Sequence, residues 1–235
     1  MRNFHFDGLR IAVHAGSIAP LVVLIWNATQ HRLSVNPIQD ITRITGHTAL
    51  MLLVISLACT PANTLFGFRR ALTVRRALGL YAFSYAALHL LTFAVLDFGL
   101  DWEQIASEIA QKRYVLVGFA AFLILLPMAI TSTRGWMKRL GKRWRTLHHW
   151  VYLAAILAVV HFIWLVKSDI REPLRFGAVV LVLLGLRLPP VRRAASNLRD
   201  RVRGVFRSAR SRREPRTGMT SEITSKAESE FHSVR

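Results

Sequence analysis

Acidic side chains are scarce in this sequence: 13 Asp and Glu stand against 32 Lys and Arg among 235 residues. Thiols are scarcer still. Cys59 is the single cysteine, which excludes a disulfide framework and any CxxC zinc or redox centre; set in an apolar run, it reads as a small buried residue. Neither GxGxxG nor GxxxxGK[ST] occurs, so a nicotinamide or nucleotide module is absent. The alternation of a β-barrel is missing too. Charge itself disappears from long windows: 21 uncharged residues separate Arg10 from Arg32, and 25 separate Arg43 from Arg69. The intervals Arg76 to Asp97, Arg113 to Arg134 and Arg145 to Lys167 hold 20, 20 and 21. A helix crossing hydrocarbon needs roughly 20 predominantly apolar residues. A soluble globular enzyme is thereby excluded.

What is present is an all-α membrane protein. The windows predict spans near 11–28, 44–62, 77–96, 114–131 and 148–166. A sixth, 174–191, carries Arg175 and Arg187 near its ends, where long basic side chains reach the interface. The expected fold is a six-transmembrane-helix bundle over 11–191, after an N-terminal segment 1–10 and before a tail 192–235. One side of the membrane receives 25 Lys and Arg and the other receives seven with seven acids, so both termini are expected in the cytoplasm. The first span lacks an A-x-A site after it and reads as retained rather than cleaved. The tail reads as a basic juxtamembrane stretch (192–213) facing anionic lipid, with no nucleic-acid partner. Residues 214–235, rich in Ser, Thr and Glu, read as disordered.

Histidines carry the chemistry. Six of nine fall in or at the edge of spans: His14, His47, His89, His148, His149 and His161. Ionisable groups inside a membrane are expensive and default to functional candidates. No acid lies deep in a span beside them, which argues against a carboxylate-based proton or cation path. Neutral imidazole without a carboxylate suits haem iron. His89 lies 12 residues into the third span, and His161 lies 13 into the fifth, or ~18 and ~20 Å at the helical rise. Two imidazoles at equal depth on parallel helices can grip one iron. His148, 13 residues before His161, is the candidate ligand for a second haem at the cytoplasmic end. Its matching position on the third span is Arg75 or Arg76, leaving His14 as the substitute partner. His149 points roughly 100° away from His148 on a helix. His47 and His5 read as ordinary hydrogen-bonded histidines.

Arg75, Arg76, Arg143 and Arg145 could pair with haem propionates or a flavin phosphate, since arginine binds oxyanions bidentately; positive-inside topology also accounts for them. Trp26, Trp144, Trp150 and Trp164 near span ends fit an interfacial belt. Gly79, Ala82, Ala86 and Ala87 allow close approach of helices or of a flat ring.

The segments TGHTAL (45–50), RRALGLYAFSYAALHL (75–90), TSTRGWMKRLGKRWRTLHHWVYL (131–153) and VVHFIW (159–164) resemble the MsrQ (formerly YedZ) family over roughly residues 8–190. These are haem-binding membrane subunits of a bacterial protein-methionine-sulfoxide reductase system, within the ferric reductase-like transmembrane superfamily. The resemblance implies six helices, haem b, FMN and a multi-pass protein of the cell inner membrane. It places the haem-iron histidines on His89, His148 and His161. The wider superfamily's two-haem pattern wants two histidines on the third helix, and this chain has one.

The function so implied is electron transfer from the quinone pool, or from a flavin reductase, to a periplasmic molybdopterin methionine sulfoxide reductase (MsrP-like) that repairs oxidised proteins. The chain would be a non-catalytic subunit. A ferric or quinone reductase cytochrome b with another acceptor is the alternative within the redox class. A haem-free permease or scaffold fits poorly, because no intramembrane acid or pair of broken helices marks a substrate path.

Overall fold

The structure is a computed structural model that describes residues 8–166 and 169–191, with 193, 194 and 197. Arg2, His5, Lys167 and nearly all of the expected tail lie outside the described residues. The chain divides into two units, Met1–Arg192 and Arg193–Arg235, and every helix named below belongs to the first. Among the described residues there is helix and no strand.

The order is α1 (Gly8–Thr29), α2 (Pro37–Phe66), α3 (Arg70–Leu91), a π-helical turn (Thr92–Asp97), α4 (Trp102–Gln111), α5 (Arg113–Ile130), α6 (Arg134–Leu140), α7 (Lys142–His149), α8 (Val151–Leu165) and α9 (Arg171–Gly185). Five stretches are long and apolar enough to cross a membrane: Gly8–Thr29, Pro37–Phe66, Arg70–Asp97, Arg113–Ile130 and Lys142–Leu165. The sixth apolar segment lies in α9, whose 15 residues span ~22 Å at 1.5 Å per residue, and a turn over 186–188 separates α9 from helix that resumes at Pro189 and Pro190.

Local chemistry sets the boundaries. Asn36 caps α2 by accepting from the Gln39 amide, with Pro37 in the first turn, and Gly67 ends the helix in the left-handed conformation at φ 69°. Asp101 caps α4 by accepting from the Glu103 and Gln104 amides. At the far end of α4 the Lys112 ammonium meets Glu108 at 2.5 Å, and that hydrogen bond raises the ammonium's pKa. Gly141, at φ 50°, separates α6 from α7. The third helix begins at Arg70, earlier than the charge-free window suggests, because Arg, Ala and Leu favour helix and arginine stems extend toward the interface.

α2 is the central element, with ten buried residues. It pairs most extensively with α3, and α5 pairs with α8. Leu50, Leu53, Leu57, Val74, Leu78, Ala155, Val159 and Val180 form the core. Ala82 (1% exposed) and Ala154 and Ala155 (0%) let backbones approach closely. Beside Pro20 of α1, the Tyr85 hydroxyl donates to the Ser17 carbonyl at 2.8 Å and accepts from the Leu21 amide at 3.1 Å. Those two groups would join directly in a regular helix, so Tyr85 ties α3 to α1 at the proline. On α1 only Ser17 and Leu24 are buried, while Val22, Val23, Ile25 and Trp26 are each more than half exposed. So much apolar surface facing outward belongs in lipid rather than water.

Candidate haem site

His89, near the end of α3, and His161, near the end of α8, come together with ring centres 6.1 Å apart and planes at 82°. Each ring is held from behind by a helix other than its own. The His89 Nδ1–H donates to the Thr42 carbonyl of α2 at 2.9 Å, and the His161 Nδ1–H donates to the Tyr114 carbonyl of α5 at 2.6 Å. A carbonyl can only accept, so each Nδ1 carries the proton and each Nε2 keeps its lone pair. Gly46 and Gly118 lie against the two rings: a Cβ on Gly46 would stand 2.8 Å from His89 Nδ1, and one on Gly118 would stand 2.6 Å from His161 Nδ1.

Haem can be tested against this geometry. Two imidazoles on opposite sides of one metal, with bonds of about 2 Å and nitrogens about 1 Å in front of their ring centres, place those centres about 6 Å apart. The observed separation fits. Among the described residues no three His, Cys, Asp or Glu side chains converge on a common point. Two imidazoles without a third protein donor suit a metal whose remaining ligands come from a macrocycle.

The other histidines are engaged differently. The His148 Nδ1–H turns back to the Trp144 carbonyl of its own helix at 3.0 Å, and its ring stacks on Trp144 at 3.9 Å. The Arg75 guanidinium and the Met128 carbonyl of α5 also act on the His148 ring, and Arg75 Nη1 donates to Thr60 Oγ1 at 3.1 Å. Arg76 is exposed. His14 Nδ1 meets the Tyr81 hydroxyl at 2.9 Å rather than another imidazole. His149 bonds the Arg145 carbonyl, one turn back, at 2.5 Å. His47 pairs with Glu172 at 2.9 Å and meets the Phe176 ring edge-on. So the structure brings His89 and His161 together and leaves His148, His14, Arg75 and Arg76 out of that site.

Sequence reading missed the rear of the site. Gly46, Gly118 and the Thr42 and Tyr114 carbonyls carry no ionisable group, so a search for titratable residues passes over them. A comparison of intervals would have found them, since His89 follows Gly46 and His161 follows Gly118 by the same 43 residues. It also took Arg187 for an interfacial anchor. In fact Arg187 turns inward: Nη2 donates to the Leu57 carbonyl and Nη1 to the Tyr152 hydroxyl, both at 2.6 Å.

Residues 21–159 match the family described as ferric reductase like transmembrane component. A Xanthomonas axonopodis pv. citri protein named protein-methionine-sulfoxide reductase heme-binding subunit MsrQ is 47% identical over 182 residues, 75% of this chain and 84% of its own length. The protein of the same name from Rhodospirillum rubrum is 46% identical over 189 residues, 80% of this chain and 91% of its own. No solved structure matches at a significant level. With both apposed imidazoles carried on membrane-length helices and relatives this similar over most of its length, the chain belongs to the MsrQ family of ferric reductase-like, multi-pass membrane proteins.

Proposed function

We propose that the chain is a transmembrane electron-transfer subunit holding one haem b between His89 and His161. The observation that carries this reading is the 6.1 Å apposition of two rings whose Nδ1 protons are both committed elsewhere. When bound, haem supplies one-electron chemistry that no side chain here can provide. The chain's own work is to present two neutral imidazoles at a fixed spacing, strengthen them as ligands through the Nδ1 hydrogen bonds, and surround them with apolar helix.

The names of the relatives support delivery to a methionine sulfoxide reductase. The acceptor we propose is a periplasmic, molybdopterin-containing, MsrP-like enzyme, with the chain in the inner membrane and both termini cytoplasmic. α9 would form the sixth span, a short one. His89 stands eight residues before Asp97, ~12 Å along the helix axis, so the iron would lie toward the acidic outer loops, where a partner can dock. The cytoplasmic end at His148 is 13 residues, or ~20 Å, further in. That distance is long for one electron hop and favours quinol within the membrane over a cytoplasmic flavin reductase as donor. If FMN binds, the arginines at the cytoplasmic end of α3, Arg75 and exposed Arg76, are the candidates for its phosphate.

The test is reconstitution in liposomes with quinol. The expected result is a reduced b-type spectrum that is reoxidised by the molybdopterin partner in the presence of a methionine sulfoxide substrate. Reoxidation by chelated ferric iron alone would assign the chain to a different acceptor, and protein that takes up no haem would overturn the reading.

A further inference from the structure

The same device occurs twice in the chain. In the first copy a main-chain carbonyl (Thr42) accepts from an imidazole 47 residues later (His89), and a glycine four residues past the carbonyl (Gly46) faces that ring. In the second copy the carbonyl is Tyr114, the imidazole is again 47 residues later (His161), and the glycine is again four residues on (Gly118). Carbonyl, glycine and histidine are all displaced by 72 residues, from the α2–α3 pair to the α5–α8 pair. The same displacement carries His148 onto Arg76, so the inner position is not repeated as a histidine.

Glycine inside a helix costs about 1 kcal/mol relative to alanine, so its recurrence at both places calls for a cause. The contacts supply it. A Cβ at Gly46 would lie 2.8 Å from Nδ1 and 2.9 Å from Cε1 of His89; at Gly118 it would lie 2.6 Å from Nδ1 and 2.9 Å from Cε1 of His161. Separations under about 3 Å force something to move, and the atom met first is the one making the hydrogen bond. Other glycines behave otherwise: a Cβ on Gly79 would make an ordinary 3.5 Å contact with Ser56 Oγ, and one on Gly16 would meet nothing within 4 Å.

We propose that Gly46 and Gly118 are positioning residues for the two axial imidazoles. By lacking a Cβ, they let α2 and α5 close on the rings so that each Nδ1–H reaches a main-chain carbonyl and each Nε2 is aimed at a shared iron. The proposal deepens the ligation reading above and depends on it. The two halves are equivalent, so damage to either has the same kind of effect.

The experiment compares purified full-length Gly46→Ala, Gly118→Ala and Gly16→Ala with the wild type. Haem content, midpoint potential and low-spin EPR are measured; the EPR signal follows the angle between the two imidazole planes. Gly46→Ala and Gly118→Ala are expected to weaken haem retention about tenfold or more, as loss of an outer partner does to metal ligands, and to shift both potential and EPR signal. Gly16→Ala is expected to match the wild type. Wild-type retention, potential and EPR in both Gly46→Ala and Gly118→Ala would overturn the proposal while leaving ligation intact. A low-spin spectrum that survives His89→Ala or His161→Ala would instead overturn ligation. Should a glycine variant fail to accumulate, wild-type protein labelled with 15N-histidine supplies a second measurement. Both axial Nδ1 protons are expected to be hydrogen-bonded and protected from exchange, and fast exchange at either one would overturn the proposal.

Discussion

The histidines near the C-terminal ends of α3 and α8 and those at the junction of α7 and α8 are alike in sequence and unlike in their surroundings. His89 and His161 send their Nδ1 protons across to other helices, and their ring centres lie 6.1 Å apart. His148 and His149 bond carbonyls one turn back on their own helix, and His148 also meets the Met128 carbonyl of α5, but neither faces a second imidazole. The difference teaches that a histidine's depth marks it as a candidate, while a second imidazole brought opposite it shows whether the fold has paired it.

The largest expected effect tests that contrast. His89→Ala and His161→Ala should each abolish the b-type spectrum, whereas His148→Ala should leave the haem-to-protein ratio unchanged, as read by pyridine haemochrome. A halving in His148→Ala would show a second iron beside His148 and erase the distinction. Arg187→Ala comes next. It removes two 2.6 Å hydrogen bonds and the stacking of the guanidinium on the Tyr152 ring, and should destabilise the protein by about 2–3 kcal/mol in detergent melts without altering the haem spectrum. Tyr85→Phe leaves the Ser17 carbonyl and Leu21 amide without their shared partner and should cost about 1–3 kcal/mol, again with haem retained. Smallest is Glu172→Gln. The His47–Glu172 pair is about two-fifths exposed, so its loss should cost less than about 1 kcal/mol and diminish further at high salt.

Much of this was legible in sequence because the membrane makes charge placement costly. The five windows without Asp, Glu, Lys or Arg correspond to the five membrane-length stretches, and helical rise alone put His89 and His161 at one depth. The sixth window was less readable. Its apolar run continues to 191, but α9 stops at Gly185 and helix resumes only at Pro189 and Pro190, which lack the N–H needed to continue the ladder of α9. The amphipathic α4 was hidden because ten residues between charges look like a loop until Asp101 is seen to cap them. Arg187 was misread because its partners, Tyr152 and the Leu57 carbonyl, lie 35 and 130 residues away. Gly46 and Gly118 escaped for a different reason: they act through the absence of a side chain, which composition and charge do not register.

Near-infrared magnetic circular dichroism of the ferric protein identifies the axial pair directly. The expected result is a low-spin band of bis-imidazole type in the wild type, lost in both His89→Ala and His161→Ala and kept in His148→Ala. A high-spin or non-imidazole signature in the wild type, or a bis-imidazole band that depends on His148 in place of His161, would contradict the apposition of His89 and His161 as the centre of this protein's chemistry.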